Sequence, residues 1–556
     1  MFILVDALRA ANLPMHGYPR NTAPNLSRIS DENLLFTFHL ANASYTRLSI
    51  SQIFTGRLTA PMLMGRQHSR EFEREFGENL LILPKVFKEA GYTTIIISSH
   101  PWYNHSARIM DFFDRQIIID PPKGSKRPYA LFEEMAGDIR GTLTELAAAS
   151  EPFFIFIHTM DTHAPYAFHE GFDKYREDEK WPPKYNVYDS EIQYTDYWIN
   201  EILTELNGFG LDRSTIAVVT SDHGEEFNEM GSGWWNRSHG PILRRAMTHV
   251  PLIMQLPEGW SIKGNYEGLS QHIDLAPTLV KLAIEGIDLS PYDVDGKDLS
   301  PELAQGVLRP DTNRLAYARN HRFWSLVESK TPEVEALLDA WDDSVAIYRV
   351  SPDRFNYPRP ALVEDATNYA SMATHLRSNA TRRLQEVAGF PKPIKEGISR
   401  SIGIGIEFVA ASSQSAPTYG DDAHDNRWHF RPTRLLSCGP SEQPGAITVA
   451  QGVPSGDYRL WVRLHKKAVK AGFKNGFTLI IGPSRIIVPE GGDSRGYLLD
   501  IGVHSLNERL AVTIEKPQGG VAIEGFKLEP EGGETLEEEH VDQDLTERLR
   551  TLGYVE

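Results

Sequence analysis

Short apolar runs rich in β-branched residues recur through the first 300 residues, and stretches with helical periodicity separate them. The runs are Phe2–Val5, Leu35–His39, Thr93–Ser98, Phe153–His158, Thr215–Thr220 and Val250–Met254. Between them, Leu83–Ala90 and Asp189–Leu206 carry apolar residues at three- and four-residue intervals, which is typical of amphipathic helices. Alternating strands and helices predict a doubly wound, mostly parallel α/β sheet over residues 1–310.

A different pattern begins after residue 310. The strand-like pieces there are Leu315–Arg319, Phe323–Glu328 and Ala346–Val350. A polar helical stretch, Asp365–Val387, follows them and ends before Pro391-Lys392-Pro393, where proline stops the helix. These features predict a small α/β subdomain of sheet and helix over residues 311–392.

The last part of the chain alternates short strand-like pieces with glycine and proline turns. The clearest pieces are Gly456–Leu464, Phe477–Gly482 and Val521–Leu528. This spacing predicts an antiparallel β-sandwich over residues 400–530. Beyond it, the acidic run Glu534–Glu539 predicts that residues 531–556 form an acidic linker and a short C-terminal helix.

Composition and net charge exclude several classes of function. The chain has 556 residues, which at about 100–200 residues per domain suits two or three domains. Its 57 Lys and Arg against 75 Asp and Glu give a net charge of −18, which argues against general nucleic-acid binding. An anionic substrate must therefore meet a local cationic site, which a metal ion would supply. The single cysteine, Cys438, excludes an internal disulfide and a cysteine-rich zinc site.

Apolar runs also bear on localisation. None reaches the roughly 18 residues of a membrane span, and no charged segment precedes an apolar one at the start. As it stands, the sequence predicts a cytoplasmic protein without a transmembrane segment. Because Phe2–Val5 starts directly after Met1, an upstream targeting sequence is also compatible with this pattern. The oligomeric state does not follow from the sequence.

Residues suited to metal binding follow two of the predicted strands. Asp6 comes directly after Phe2–Val5, and Asp222 and His223 come after Thr215–Thr220. Ligands of open α/β sheets bind outside the carboxyl ends of the strands, so these side chains can reach a common point. Two carboxylates and an imidazole favour a divalent cation. Taken alone, an Asp-His-Gly turn is equally consistent with a plain strand end.

A hydroxyl-rich segment, Ala43–Arg57, is predicted to enter a helix. Its Ser and Thr residues suit the N-cap, and Leu48, Ile53 and Phe54 give the helix an apolar face. A helix N-terminus also attracts anions, and a hydroxyl held there beside a divalent ion can become a nucleophile.

Further titratable residues follow other strands at the same edge. His100 comes after Thr93–Ser98, and Asp161 and His163 come after Phe153–His158. A substrate-lining position and an ordinary loop position explain His100 equally well.

A series of short motifs extends over about residues 1–390. They are Val5-Asp6-Ala7-Leu8-Arg9-Ala10, Ala23-Pro24-Asn25-Leu26, Phe54-Thr55-Gly56-Arg57, Glu89–Thr94, Asp161-Thr162-His163-Ala164-Pro165-Tyr166, Ser221–Phe227, His239-Gly240, Val250-Pro251-Leu252 and Asp274–Thr278. Their order resembles the sulfatase-type branch of the alkaline phosphatase superfamily. The resemblance implies an alkaline-phosphatase-like fold, without specifying the substrate.

The resemblance also implies a metal centre. One divalent ion would be held by Asp6, Thr46, Asp222 and His223. Calcium, magnesium, manganese and zinc stay open as its identity, and a second metal is compatible with the pattern.

Catalytic and substrate-binding roles follow from the same resemblance. Thr46 matches the nucleophile, and His163 and His239 match positions that contact the transferred group, protonate the leaving oxygen or hold a second metal. The predicted substrate-binding residues are Arg47, His100, Asp161 and Arg244. For Arg244, an ordinary surface charge is the competing interpretation. The implied reaction is in-line attack on a sulfate or phosphate ester.

The surroundings of Thr46 depart from typical sulfatases. Those enzymes carry Cys or Ser there, converted to formylglycine, with Pro two residues on and Arg four residues on. This chain has Leu48 and Ile50 at the latter two places, and formylglycine cannot form from threonine. The segment looks closer to the phosphoethanolamine and phosphoglycerol transferases, which use a threonine nucleophile and form phosphothreonine.

The sequence therefore predicts a metal-dependent enzyme that cleaves or transfers a phosphoester group through Thr46. Its substrate would be a small-molecule, glycan or lipid-headgroup ester. Two alternatives stay open, a sulfuric ester hydrolase that works without formylglycine and a non-catalytic relic that binds glycan. Retention of Asp6, Asp222, His223 and both His163 and His239 argues against a relic.

Overall fold

A computed structural model gives the fold. It describes residues 1–58, 63, 79–100, 103, 108–125, 127–149, 151–227, 243–260, 262–310, 313–320, 323–339, 344–349, 361–362, 371–376 and 378–379, together with the strands between 402 and 530 that are bounded below. The chain forms two compact units, which are Met1–Asn320 with Leu326–Glu335 and Tyr348–Leu362, and His321–Ser325 with Ala336–Ile347 and Val363–Glu556. The predicted domain boundaries at residues 310, 392 and 530 stay predictions.

The first 310 residues contain the strands and helices of the α/β core. The strands are β1 (Phe2–Val5), β2 (Leu34–Phe36), β3 (His39–Leu40), β4 (Thr93–Ser98), β5 (Arg115–Ile118), β6 (Phe153–Thr159), β7 (Ala217–Ser221), β8 (His249–Val250), β9 (Leu252–Gln255), β10 (Gly264–Tyr266) and β11 (Ser270–Gln271). The helices are α1 (Pro24–Glu32), α2 (Thr46–Thr55), α3 (Leu83–Glu89), α4 (Phe132–Ala149), α5 (Pro183–Gly208), α6 (Arg245–Thr248), α7 (Leu275–Ala283) and α8 (Ser300–Ala304). Short 3-10 helices occupy Ala10–Asn12, Pro14–His16, Arg108–Phe112, Leu211–Ser214 and His272–Asp274.

Eight of the strands form one sheet in the order β10-β2-β9-β7-β1-β6-β4-β5. β1 lies between β7 and β6 and runs parallel to both. β4 runs parallel to β5 and β6, whereas β9 runs antiparallel to β2 and β7. The predicted mostly parallel sheet is confirmed, and β11, β3 and β8 form a small separate sheet.

Strand β1 is buried on both faces of the sheet. All four of its residues are buried, as expected of a strand covered on both faces. Phe2 and Leu4 join a core cluster that includes residues of α2, α3 and α7. Ile3 and Val5 join the cluster on the other face, with residues of α1, α4 and α5. Helices therefore cover both faces of the sheet.

Two of the predicted apolar runs are divided in the structure. Val250–Met254 contributes to β8 and β9, with Pro251 between them. Proline has no backbone N–H to donate to a neighbouring strand, so the pairing changes at that residue. Leu35–His39 likewise contributes to β2 and β3, which belong to different sheets.

Beyond residue 310, the described residues include a five-stranded sheet whose strands follow chain order. They are β12 (Leu315–Arg319), β13 (Phe323–Glu328), β14 (Val334–Asp339), β15 (Ser344–Arg349) and β16 (Ala361–Leu362). β12 and β13 were predicted, and β15 overlaps the predicted strand Ala346–Val350, whereas β14 and β16 were not predicted. Of the predicted helix Asp365–Val387, residues 371–376 and 378–379 are described, and they are helical.

The C-terminal strands join one ten-stranded sheet. They are β17 (Ile402–Gly405), β18 (Ala410–Ala411), β19 (Thr418–Tyr419), β20 (Trp428–Arg431), β21 (Leu435–Cys438), β22 (Gly445–Leu464), β23 (Phe477–Ile481), β24 (Ser484–Val488), β25 (Tyr497–Glu515) and β26 (Val521–Pro530). β22 pairs antiparallel with β25 and β26, while β19 and β20 are parallel. The mainly antiparallel pairing agrees with the prediction, and the two facing layers of a sandwich stay a prediction. Residues 531–556, predicted as a linker and helix, lie outside the described residues.

The helices bear on the membrane prediction as well. Among those in the described ranges, none is long and apolar enough to span a bilayer.

Helix α1 begins against a side chain of helix α5. Asp196 accepts hydrogen bonds from the backbone N–H groups of Leu26, at 2.7 Å, and Asn25, at 3.1 Å. The Asn25 side-chain amide donates to the same carboxylate at 2.8 Å. Ala23, the residue before the helix, has no side-chain acceptor of its own. The buried carboxylate of Asp196 therefore caps α1 and places negative charge at the positive end of its dipole.

Replacement Asp196→Ala should lower the free energy of unfolding by about 1–3 kcal/mol, because it leaves helix-start N–H groups unpaired. Urea denaturation of the full chain, followed by circular dichroism, measures the change. Asp31→Ala is the matched control, since Asp31 is an exposed carboxylate on the same helix. We expect the control to stay within about 0.5 kcal/mol of wild type. Equal losses in the two variants would contradict the capping role.

Candidate active site

Asp6 occupies the turn that follows strand β1. Its backbone N–H donates to the Thr159 carbonyl of the neighbouring β6 at 2.9 Å. The next residue, Ala7, has φ of 60° and donates its N–H to Asp222 Oδ1 at 3.0 Å. A left-handed non-glycine residue costs about 1–2 kcal/mol. This turn brings the backbone beside Asp6 into hydrogen-bond contact with Asp222.

Asp222 and His223 follow β7, directly beside that turn. The Nδ1 atom of His223 lies 2.8 Å from the Gly224 carbonyl oxygen. A carbonyl only accepts, so Nδ1 carries the proton, and a neutral ring presents the lone pair of Nε2. That Nε2 lies 3.3 Å from Asp222 Oδ2 and 3.9 Å from Asp6 Oδ1. Three electron-rich atoms therefore face one another.

Thr46 is the first residue of helix α2 and completes the group. Its Oγ1 donates to Asp6 Oδ2 at 3.3 Å and also lies 3.3 Å from His223 Nε2. The side chain is buried at the positive end of the α2 dipole. The structure thus brings together all four predicted metal ligands.

The donor set fits a hard divalent cation. Asp6 Oδ1 and Asp222 Oδ2 are buried carboxylate oxygens, and neither has a hydrogen-bond partner. Asp6, Asp222 and His223 each offer one ligand atom, and these three atoms all lie within 4.8 Å of one another. Unpaired buried carboxylate oxygens are costly, and a cation among them would remove that cost. Carboxylate, hydroxyl and imidazole donors suit magnesium, manganese or zinc, and calcium where further oxygens complete the shell.

The two carboxylates have opposite protonation tendencies. Burial and the nearby Asp6 charge raise the pKa of Asp222. Burial also acts to raise the pKa of Asp6, but His163, His158 and His223 outweigh it and hold that pKa well below its ordinary range. Asp6 therefore carries the negative charge, and a bound cation would compete with a proton at Asp222.

His158 also belongs to this site, although the sequence analysis treated it only as part of a strand. It lies in β6 with its Nε2 3.3 Å from Asp6 Oδ2, and the residue is fully buried. In the strand register it lies opposite Leu4, two residues before Asp6. The available signal was a histidine inside the apolar run Phe153–His158, which adjoins the strand that leads to Asp6.

Two more predicted histidines lie near the same carboxylate. His100 is buried, with Nε2 3.9 Å from Asp6 Oδ2. His163 is half-buried, and its Nδ1 lies 2.5 Å from the Ala164 carbonyl oxygen, so Nδ1 carries the proton. The charge of His163 helps to lower the pKa of Asp6. His239, the other predicted catalytic histidine, lies outside the described residues.

Asp161 points into the scaffold, contrary to a substrate-facing orientation. Its Oδ1 accepts from the backbone N–H of Phe132, the first residue of α4, at 3.0 Å. Its Oδ2 accepts from the Thr159 hydroxyl. Because both oxygens have partners within the protein, Asp161 holds α4 against β6.

The predicted arginines differ in placement. Arg47 is half-buried on α2, next to Thr46. The guanidinium carbon of Arg244 lies 4.2 Å from the centre of the Tyr348 ring, a cation–π contact. Arg244 was interpreted either as a substrate-binding residue or as an ordinary surface charge, and neither interpretation included this aromatic partner.

Comparisons with known proteins show which family the chain belongs to. The sulfatase family model matches residues 1–286, just over half of the chain. The chain belongs to the sulfatase family. This confirms the predicted family and the alkaline-phosphatase-like fold.

Curated relatives cover only part of the chain. A low-salt glycan biosynthesis sulfotransferase of Haloferax volcanii is 32% identical over 210 residues, which are 32% of this chain and 50% of that protein. The N-acetylgalactosamine-6-sulfatase of Rattus norvegicus is 24% identical over 358 residues, which are 55% of this chain and 66% of that protein. The chain thus spans between half and about two thirds of these two relatives.

Solved structures show the same fold. A protein of the alkaline phosphatase superfamily from Vibrio parahaemolyticus matches with a TM-score of 0.51 at 17% identity, covering 69% of this chain and 87% of that one. A protein solved with its substrate D-glucosamine-2-N,6-O-disulfate matches with a TM-score of 0.54 at 16% identity, covering 71% of this chain and 99% of that one.

We expect the sulfatase-family protein to bind one divalent cation through these ligands. Asp222→Ala should weaken binding by at least about 100-fold, because it removes a charged ligand and leaves Asp6 as the sole carboxylate. Calorimetric titration of the chelator-treated protein in metal buffers measures the affinity for calcium, magnesium, manganese and zinc.

The control for this titration is Asp161→Asn, a buried carboxylate at the same edge whose oxygens bond to Phe132 and Thr159. It should bind the cation within about 3-fold of wild type. A wild-type protein that binds none of the four cations, or an Asp222→Ala variant that binds as tightly as wild type, would contradict the assignment.

Proposed function

We propose that the protein is a metal-dependent enzyme that cleaves or transfers a phosphoester group through a covalent intermediate on Thr46. The observation that carries the proposal is the position of Thr46 Oγ1, 3.3 Å from both Asp6 Oδ2 and His223 Nε2. A threonine hydroxyl cannot become formylglycine, so the nucleophile would be the hydroxyl itself. Membership of the sulfatase family supports an enzyme that acts on ester bonds.

Several groups around Thr46 contribute to the first step, the attack on the ester. A divalent cation, when bound, supplies positive charge that acidifies the Thr46 hydroxyl and neutralises charge on the transferred group. Asp6 Oδ2 accepts the hydrogen bond from Thr46 and so orients Oγ1. The start of α2 directs its positive dipole end toward the anion. Burial of Thr46, Asp6 and Asp222 excludes water and strengthens these interactions.

The chemistry follows from that arrangement. The acidified Thr46 hydroxyl first loses its proton to solvent. A bond then forms between the ionised Oγ1 and phosphorus while the bond to the leaving oxygen breaks. A protonated His163 gives its proton to the leaving oxygen, with His239 as the other candidate donor. Water or an alcohol then attacks phosphorus and gives its proton to the histidine that is now neutral. The bond to Oγ1 breaks and leaves Thr46 ionised again, which completes hydrolysis or transfer.

The charge at the site favours one class of ester. Asp6 and Asp222 together balance one divalent cation, and an ionised Thr46 adds one negative charge. A dianionic phosphate monoester would meet more repulsion there than a singly charged diester. We therefore favour a phosphodiester, such as one that carries a lipid headgroup or a glycan.

A sulfate ester is the second candidate, because it too carries a single charge. The observation in its favour is that the relatives compared above are named a sulfotransferase and a sulfatase. The non-catalytic alternative has less support, because it does not explain why Asp6 Oδ1 and Asp222 Oδ2 are buried without hydrogen-bond partners.

Thr46→Ala should lower kcat/KM for an aryl phosphodiester by at least about 1,000-fold, because it removes the attacking oxygen. Spectrophotometry of aryl release gives the rate, and intact mass after rapid quenching detects an adduct that is lost in the variant. Thr55→Ala is the control, since Thr55 is buried at the other end of α2 and bonds to the Ser51 carbonyl. Undiminished turnover by Thr46→Ala would exclude the covalent route.

The charge argument gives a separate expectation. The metal-loaded enzyme should favour an aryl phosphodiester over the corresponding aryl phosphate monoester by at least about 10-fold in kcat/KM at pH 8, where the monoester is dianionic. The same assay with an aryl sulfate separates the two candidate functions. Release from the sulfate alone would establish the second candidate, and a preference for the monoester would overturn the charge argument.

A further inference from the structure

His158 makes contacts that neither the sequence motifs nor the proposed reaction explains. It is fully buried in β6, at the carboxyl edge of the sheet. Its Nε2 lies 3.3 Å from Asp6 Oδ2, and its Nδ1 lies 3.2 Å from the hydroxyl of Tyr103. Both ring nitrogens therefore face a polar atom.

Asp6 and Tyr103 together favour a proton on Nε2 of His158, because the carboxylate only accepts whereas the tyrosine hydroxyl can donate. The Tyr103 hydroxyl is buried and can donate its proton to Nδ1 of the ring. A neutral imidazole that accepts at Nδ1 carries its proton on Nε2. That proton is on the side of the ring nearest Asp6 Oδ2, which lies 3.3 Å from Nε2. The pair does not have hydrogen-bond geometry in this structure, so the contact is an attraction between the N–H dipole and the carboxylate charge.

His100 restricts the orientation of the His158 ring. The two rings stack with centroids 5.2 Å apart and planes inclined by 22°. Tyr103 contacts the same ring edge-on, with centroids 5.9 Å apart. The ring therefore has little freedom to turn Nε2 away from Asp6.

The Asp6 carboxylate consequently has two different sides. Oδ2 faces His158 and Thr46, at 3.3 Å from each. Oδ1 lacks a hydrogen-bond partner and faces His223, whose Nε2 lies 3.9 Å away. A contact that holds Oδ2 also fixes the direction of Oδ1, because the carboxylate group is planar and rigid.

We propose that His158 is a positioning residue of the metal site, which holds Asp6 Oδ2 so that Oδ1 is directed at the cation. Tyr103 supports it by donating to Nδ1, which is compatible with a ring proton on Nε2. This inference rests on the metal-dependent function proposed above. Partners of this kind orient metal-ligating carboxylates, and their loss typically weakens metal binding by 10- to 100-fold.

Three variants separate this role from simple packing. His158→Phe keeps an aromatic ring against His100 but removes the proton directed at Asp6. His158→Gln places an amide N–H near the position of Nε2 and retains donation. Tyr103→Phe leaves the ring of Tyr103 in place and removes only the hydroxyl that holds Nδ1.

His39→Phe is the matched control. His39 is also a fully buried histidine, and its Nδ1 lies 2.9 Å from the hydroxyl of Ser270 rather than near Asp6. Thermal unfolding of every variant in chelator shows whether it folds. If His158→Phe does not fold, His158→Asn replaces it, because the shorter amide cannot reach Asp6.

The measurement is manganese affinity by calorimetric titration, with the electron paramagnetic resonance spectrum of the bound ion as a second readout. We expect about 10-fold weaker binding or more for His158→Phe, a smaller loss for Tyr103→Phe, and affinity within about 3-fold of wild type for His158→Gln and His39→Phe. The spectrum should change in His158→Phe, because the Asp6 ligand is no longer held in one orientation.

The outcomes distinguish two failures. If wild type itself binds no manganese or any other of the four cations, the proposed function fails. If wild type binds manganese and His158→Phe binds it as tightly, or His158→Gln loses as much as His158→Phe, the positioning role of His158 is overturned and the metal site stands.

Discussion

Two carboxylates, Asp6 and Asp222, lie fully buried beside each other, and their mutual repulsion is the constraint on which the site depends. Like charges repel strongly where water is excluded. Nearby histidines and the positive end of α2 reduce the repulsion between the two carboxylates. Asp6 Oδ1 and Asp222 Oδ2 nevertheless have no hydrogen-bond partner. A divalent cation is the partner that this geometry fits, and it would turn the repulsion into a shared attraction.

The sheet makes this arrangement possible. β1 lies between β6 and β7 in parallel register, so residues at the ends of these three strands meet at one edge. Apolar clusters on both faces hold the strands in place. The left-handed Ala7 then directs a backbone N–H at Asp222, which couples the two strand ends. Backbone strain at this turn is offset by the packing of the sheet beneath it.

Charge also connects the site to its proposed substrate. Each negative group near Thr46 needs a matched positive one, so the number of carboxylates limits the charge that the ester can bring. The hydrogen bond from Thr46 to Asp6 and the contact of His158 with the same oxygen compete for one acceptor. Ionisation of Thr46 would leave that oxygen to His158, which keeps Asp6 oriented while the nucleophile acts.

The sequence by itself determined the α/β core, because buried strands and amphipathic helices leave local periodic patterns. It also located Asp6, Asp222 and His223, since each follows a strand end, whereas the family resemblance singled out Thr46 within the hydroxyl-rich segment Ala43–Arg57. Tertiary structure alone decided the rest, because those contacts join residues distant in sequence. Asp161 bonds to Phe132, Arg244 stacks on Tyr348, and His158 reaches Asp6 from the neighbouring strand. A local pattern does not record the direction or the partner of a side chain, and these decide what each residue does.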